Sequence, residues 1–233
     1  MNLYELGTVE VISGLRARRF SVVELVQALL ARISDFDHLQ AWVHVDTEAV
    51  IAQAHQKQTE IDSGSGAPLI GVPTGVKDIF YTAGVATTAC SKVYADFVPS
   101  YDATTVSRLK EAGGIMLGKT VTTEFAYRDP SPTHNPWNID HTPGGSSSGS
   151  AAAVAAMMCP IAFGTQTRGS VLRPASYNGI VGLKPTFGRV SRFGVVPLSW
   201  SFDHVGWMAR SVEDVALMLQ VMAGPDANDP TTL

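Results

Sequence analysis

Pro143 to Gly188 reads PGGSSSGSAAAVAAMMCPIAFGTQTRGSVLRPASYNGIVGLKPTFG, and its small residues and hydroxyls crowd together between two glycine-rich loops. Gly144, Gly145 and Gly149 leave the first loop free to take backbone conformations closed to other residues, and Ser146, Ser147, Ser148 and Ser150 place hydroxyls on it. Ala151 to Met158 then reads as a helix. The short apolar run Ile161-Ala162-Phe163 reads as a buried strand, which puts the second loop, Gly164 to Ser170, and Ser170 in particular, just past a strand end. Reactive groups of α/β proteins collect there.

A serine-rich glycine loop opening a helix is also a phosphate cradle in principle, because helix N-termini gather unpaired N–H groups. The residues argue against a nucleotide: no Lys-Ser or Lys-Thr follows the glycines, and no G-x-G-x-x-G is present. A flexible Gly/Ser linker is the plain alternative, and the apolar, periodic flanks on both sides count against it.

Three runs, GVPTGVKD at 71–78, GGSSSGSAAAVAA at 144–156 and GTQTRGS at 164–170, with RPA and GLKPTFGRVSRFG following, stand in this order. Together they make the chain resemble the amidase signature family, the Ser-Ser-Lys amide hydrolases. The resemblance implies Ser170 as nucleophile, Ser146 as a bridging serine with a cis peptide bond before it, and Lys77 as the base. It also makes the backbone N–H groups of Thr167, Arg168, Gly169 and Ser170 an oxyanion hole. Arg168 stands where the family has Gly or another small residue. Its N–H suffices for that role, and its side chain either points to solvent, narrows the acyl site or attracts an anionic substrate. Arg173, three residues past Ser170, is expected either to hold a substrate carboxylate or to pair internally with an acid.

The chemistry has its own logic apart from the resemblance. A serine hydroxyl is a weak nucleophile until a neighbour takes its proton, and a lysine is a base only when neutral. Lys77 sits among Val76, Ile79 and Phe80, and burial lowers a lysine pKa by up to roughly 3–5 units. The usual reading of a lone lysine is a solvated surface group; the apolar setting and the resemblance together reverse it here. His134 and His141 invite a Ser-His-Asp reading, which lacks its G-x-S-x-G elbow. Asp203-His204 reads as a structural pair.

The 233 residues suffice for a sizeable core, with 45% hydrophobic and 16% charged residues. A net charge of −4 offers no basic field for nucleic acid. Cys90 and Cys159 lack metal or redox spacing and read as reduced and structural. No secretory signal or membrane-length apolar run is present in the sequence, so the cytoplasm is the expected compartment and no membrane partner is expected. No metal or organic cofactor is expected, and a homodimer is left open.

Outside the central stretch, Thr8 is expected to cap a short helix, and Ser21 with Glu24 forms a capping box before Val22, Leu25, Val26, Leu29, Leu30 and Ile33 at helical spacing. Ala41 to Val45 alternates as a strand, and Asp46 to Asp62 is a polar helix ended by Ser63-Gly64-Ser65-Gly66. Leu69 to Val72 reads as a short strand. Asp102 is expected to cap a helix ending at Gly113-Gly114, ahead of a buried strand from Ile115 to Gly118. Glu124, Phe125 and Tyr127 fall in a stretch that the resemblance places near the site. Ser211 caps a last helix, Val212 to Met222, which Gly224-Pro225 stops.

The expectation is one α/β domain, 1–233, with a mixed, largely parallel β-sheet core covered by helices; residues 1–66 form a mainly helical outer layer and 67–233 the catalytic core. The family continues past Leu233, so the chain reads as an N-terminal half whose remaining edge exposes strand groups and apolar faces. Expressed alone it is expected to show little amidase activity. The expected reaction is hydrolysis of a small-molecule amide through an acyl-serine intermediate. Two alternatives stand beside it: the amidase subunit of a tRNA-dependent amidotransferase, needing tRNA and a second subunit, and a catalytically inactive scaffold.

Overall fold

The computed structural model describes residues 2–232, so Met1 and Leu233, the ends of the expected 1–233 domain, lie outside the described residues. Helices and strands run along the chain as α1 (Thr8–Arg16), α2 (Val22–Asp35), β1 (Trp42–His44), α3 (Thr47–Asp62), β2 (Pro73–Lys77), α4 (Thr104–Glu111), β3 (Ile115–Thr120), α5 (Ser148–Ala155), β4 (Ile161–Gln166), α6 (Leu172–Asn178), β5 (Val181–Leu183), β6 (His204–Ala209) and α7 (Val212–Met222). The strands form one mixed sheet in the order β1-β3-β2-β4-β6-β5. Its centre, β3-β2-β4, is parallel, and the flanking pairs β1-β3, β4-β6 and β5-β6 are antiparallel. The parallel centre agrees with the expected α/β class.

Local chemistry sets the helix starts. The capping box of α2 forms as read, Ser21 Oγ accepting from Glu24 N–H at 3.1 Å and Glu24 Oε2 accepting from Ser21 N–H at 2.7 Å. Asp46 caps α3 by accepting from Ala49 N–H at 2.9 Å, and Ser211 caps α7 by accepting from Asp214 N–H at 3.1 Å. Two caps differ from expectation. Thr8 is buried inside the first turn of α1, and Gly7 takes the cap position, its N–H donating to Glu10 Oε2 at 2.9 Å. Asp102 instead accepts from Ala83 N–H and pairs with Lys110 Nζ at 2.7 Å, leaving the cap of α4 to Ala103.

The strand expected at Leu69–Val72 lies further on, at Pro73–Lys77. Ile70 and Val72 donate to the Ala67 and Leu69 carbonyls at 3.2 and 3.0 Å in a turn, and Gly71 has φ +73°, which breaks an extended run. The shift matters because it puts Lys77 at the end of a central strand, where Val76 is opposite Lys119 on β3 and Phe163 on β4. Helix α5 likewise begins at Ser148, not Ala151, and Met157 with φ +62° follows its end. Buried from Ser148 to Val154, it lies against the strands that carry the site.

The principal core gathers Val76, Phe80, Leu109, Leu117, Phe163 and Trp207 with the inner faces of α1, α2 and α7. Among the described residues no helix is long and apolar enough to cross a membrane.

Candidate active site

Three elements converge on one buried amine. Lys77 ends β2, Ser146 lies in the loop that opens α5, and Thr165 stands on β4. Lys77 Nζ donates to Ser146 Oγ at 2.7 Å and to Thr165 Oγ1 at 2.9 Å. Its side chain is fully buried, and that burial pulls the ammonium down to about 7, against smaller opposing effects of Cys90 and Asp203. The Gly145–Ser146 peptide is cis, as the resemblance implied. Ser146 thus meets a lysine that is neutral over part of the ordinary pH range and can accept a proton from it.

The neighbouring serines hold the loop. Ser147 Oγ accepts from Thr165 N–H at 3.2 Å and donates to Thr165 O at 3.3 Å. Ser150 Oγ donates to Phe163 O at 2.8 Å and bonds with Thr120 Oγ1 at 2.6 Å. These hydroxyls are spent on fastening α5 to β3 and β4.

The second loop is braced from two sides. Gln166 Oε1 accepts from Val171 and Leu172 N–H at 3.0 and 2.9 Å. Asp203 Oδ1 accepts from Thr167 Oγ1 at 2.5 Å, while Oδ2 accepts from Leu198 and Ser199 N–H at 2.8 Å. Among the described residues, the N–H groups of Thr167, Arg168, Gly169 and Ser170 donate to no protein acceptor, so four donors in sequence remain for a ligand oxygen. Ser170 is half-buried, and its carbonyl accepts from Ser147 N–H at 3.3 Å, which brings the two loops into contact. A bond between Ser146 and Ser170 hydroxyls is not formed among the described residues. Hydrogen bonds of this kind are often long before a substrate closes the site.

Arg173 does not make the internal pair with an acid that was one of its two sequence readings. Its Nε and Nη2 donate to Gly145 O at 3.1 and 2.6 Å, so the fork grips the serine loop and pairs with no acid. A cavity of about 400 Å³ lies beside it, lined by Tyr127, Arg128, Arg168, Ser170, Arg173 and Leu198 among others. A larger one of about 440 Å³, bordered by Ile79, Tyr81, Thr165 and Trp200, adjoins it through Ala126, Thr167 and Leu198.

The histidines stand apart from this chemistry. His134 Nδ1 bonds with Ile139 O at 2.8 Å, His141 is exposed, and His204 Nδ1 bonds with Phe202 O at 2.7 Å. Asp203 is structural as read, but it serves the loops at 167 and 198–199, with no bond to its neighbour His204.

Sequence reading missed Thr165, Gln166, Asp78 and Lys119. Asp78 fastens the loop under Lys77 by accepting from Thr88 Oγ1 at 2.5 Å and from the Thr88 and Cys90 N–H groups. Burial pushes its carboxyl up, while those hydrogen bonds and Lys119 oppose the shift. Lys119, fully buried on β3, donates to Phe80 O and, at 2.8 Å, to Thr87 Oγ1, and burial lowers it to about 7. Its placement within the apolar strand run Ile115 to Thr120 is the one signal that would have found it. Among the described residues, no group of three or more His, Cys, Asp or Glu is placed to hold a metal ion.

Comparison with known proteins accords with this geometry. The profile of the family described as Amidase matches residues 24–233. A glutamyl-tRNA(Gln) amidotransferase subunit of Ralstonia pickettii is 48% identical over 97% of this chain and 47% of its own length. Its counterpart of the same name in Geobacter metallireducens is 46% identical over all of this chain and 50% of its own length. Among solved structures, the peptide amidase of Stenotrophomonas maltophilia superposes with a TM-score of 0.93 at 41% identity, over 98% of this chain and 50% of that one. The chain spans about half the length of the curated relatives it matches.

Proposed function

The chain belongs to the amidase family, and on that premise we propose that it carries the nucleophile, bridge and base for hydrolysing a carboxylic amide through an acyl-serine intermediate. One observation carries the reading: a fully buried Lys77 amine, lowered to about 7, lies 2.7 Å from Ser146 Oγ. Beside it is a loop with four unspent N–H donors.

In this reading Ser170 Oγ attacks the amide carbonyl while its proton passes to Ser146, whose own proton passes to neutral Lys77. The carbonyl becomes a tetrahedral oxyanion held by the N–H groups of Thr167 to Ser170, where losing one donor costs ~10²–10³ in rate. Collapse breaks the C–N bond, and the lysine proton returns through Ser146 to the departing nitrogen. Water, deprotonated along the same route, then attacks the acyl carbonyl, releasing the acid and restoring the Ser170 hydroxyl.

A second reading keeps the same chemistry with glutamine as the amide, releasing ammonia for a partner, as in the amidase subunit of a tRNA-dependent amidotransferase. The similarity to glutamyl-tRNA(Gln) amidotransferase subunits favours it. A requirement of glutamine hydrolysis for tRNA and a second subunit separates the two. Cytoplasmic location accompanies both readings.

A fluorophosphonate probe tests the shared core. Mass spectrometry is expected to find the label on Ser170, and Ser170→Ala to abolish the label together with any turnover the parent shows. Label on Ser146 or Ser150, with turnover retained in Ser170→Ala, overturns the assignment.

A further inference from the structure

The cavity that holds Ser170 is lined by three arginines, Arg128, Arg168 and Arg173, and by no acidic residue. This is unusual for a chain with 21 acidic and 17 basic residues. Among the described residues none of the three guanidinium groups pairs with a carboxylate, whereas the four ion pairs that do form lie elsewhere. An arginine stays charged at any working pH, so positive charge collects around a space about 400 Å³ in size.

The three do not have equal parts. Arg173 is committed through Nε and Nη2 to Gly145 O, which fixes its position and sets its charge at the cavity edge. Arg168 and Arg128 are exposed, and neither donates to a protein acceptor among the described residues. Arg128 lies beside the Tyr127 ring, its guanidinium carbon 5.8 Å from the ring centre. Arg168 stands two residues before Ser170 in the loop that lines the same space. Two arginines without a protein partner and a third held to Gly145 O border one space with Ser170, an arrangement that suits an anion.

We propose that Arg128 and Arg168, with Arg173 behind them, form a carboxylate subsite that selects amides bearing a second, anionic group. The inference rests on the reading of Ser170 as nucleophile. With the scissile carbonyl at Ser170 and the N–H loop, a carboxylate a few atoms away meets two free forks, each able to hold it bidentately. A neutral amide of the same length leaves the arginines to water.

The test compares kcat/KM for succinamate and for butyramide, which carries methyl in place of the carboxylate, in the parent and in Arg128→Ala, Arg168→Ala and the double variant. Alanine at 168 keeps the backbone N–H, and the ratio of the two substrates cancels any general loss of activity. The parent is expected to prefer succinamate by about 10–100-fold, the scale of one or two charge-assisted hydrogen bonds. The double variant is expected to bring that ratio near one, and rising salt to erode it in the parent. A parent ratio near one, or a ratio unmoved in the double variant, overturns the subsite and leaves the serine chemistry standing. Calorimetric binding of succinamate to Ser170→Ala separates the two ideas. Binding there that the arginine substitutions weaken at least about tenfold supports the subsite even where no turnover is seen, and no binding there overturns it.

Discussion

A lysine held at about 7 is protonated below that pH and neutral above it, so amide turnover through Lys77 is expected to rise with pH through about 7 and then level. The sign follows from the cause: burial penalises the charged form, and only the neutral amine takes the Ser146 proton. Lys77→Arg keeps a cation that cannot act as a base and is expected to lose about 10²–10⁴ in kcat. Turnover within a few-fold of the parent removes Lys77 from the chemistry. Thr165 supplies the second acceptor to the same amine at 2.9 Å. Thr165→Val removes a hydroxyl that favours the ammonium, so the acid limb of the pH–rate profile is expected to move to lower pH as kcat falls. An unchanged limb assigns Thr165 to packing alone.

At the scale of elements, the site depends on how closely α5 approaches the sheet. A Cβ on Gly149 would stand 2.2 Å from Ala41 O and 2.4 Å from Val121 N. Both are backbone atoms that cannot step aside, so Gly149→Ala has to push the start of α5, and Ser146 with it, away from β3. Overpacking of this kind costs about 1–3 kcal/mol. Thermal melting is expected to fall by several degrees, and turnover to fall together with the Lys77–Ser146 contact. A melting temperature equal to the parent's shows that the helix yields freely.

For the molecule as a whole, the larger cavity and its surroundings carry apolar surface that the described residues leave uncovered. Trp200 is 77% exposed and Phe202 64%, with Leu198 and Tyr101 exposed nearby. Contiguous apolar surface on a soluble chain drives association or binds a partner. Trp200→Ser with Phe202→Ser is therefore expected to reduce hydrophobic-dye binding and to shift sedimentation toward a single small species. Dye binding and sedimentation equal to the parent's place the apolar surface elsewhere. The residues proposed for the chemistry stand out along the chain, Lys77, Ser146 and Ser170 lying in three short motifs; the parallel centre of the sheet followed from apolar runs between helical ones, and the Ser21–Glu24 cap from spacing alone. Those features depend on residue type and local order, which a sequence states directly. The shifted strand at 73–77 was not legible, because Leu69 to Val72 are more apolar than the Pro-Thr-Gly-Val-Lys strand they precede, and only the local bonds from Ile70 N–H to Ala67 O and from Val72 N–H to Leu69 O make them a turn. Nor could spacing assign Arg173 to Gly145 O, Thr165 to Lys77, or Arg128 to the same cavity as Arg168. Each of those contacts joins segments 28 to 88 residues apart or more than one loop, and a lysine's pKa, an arginine's partner and a cavity's charge belong to what the fold brings within a few ångströms.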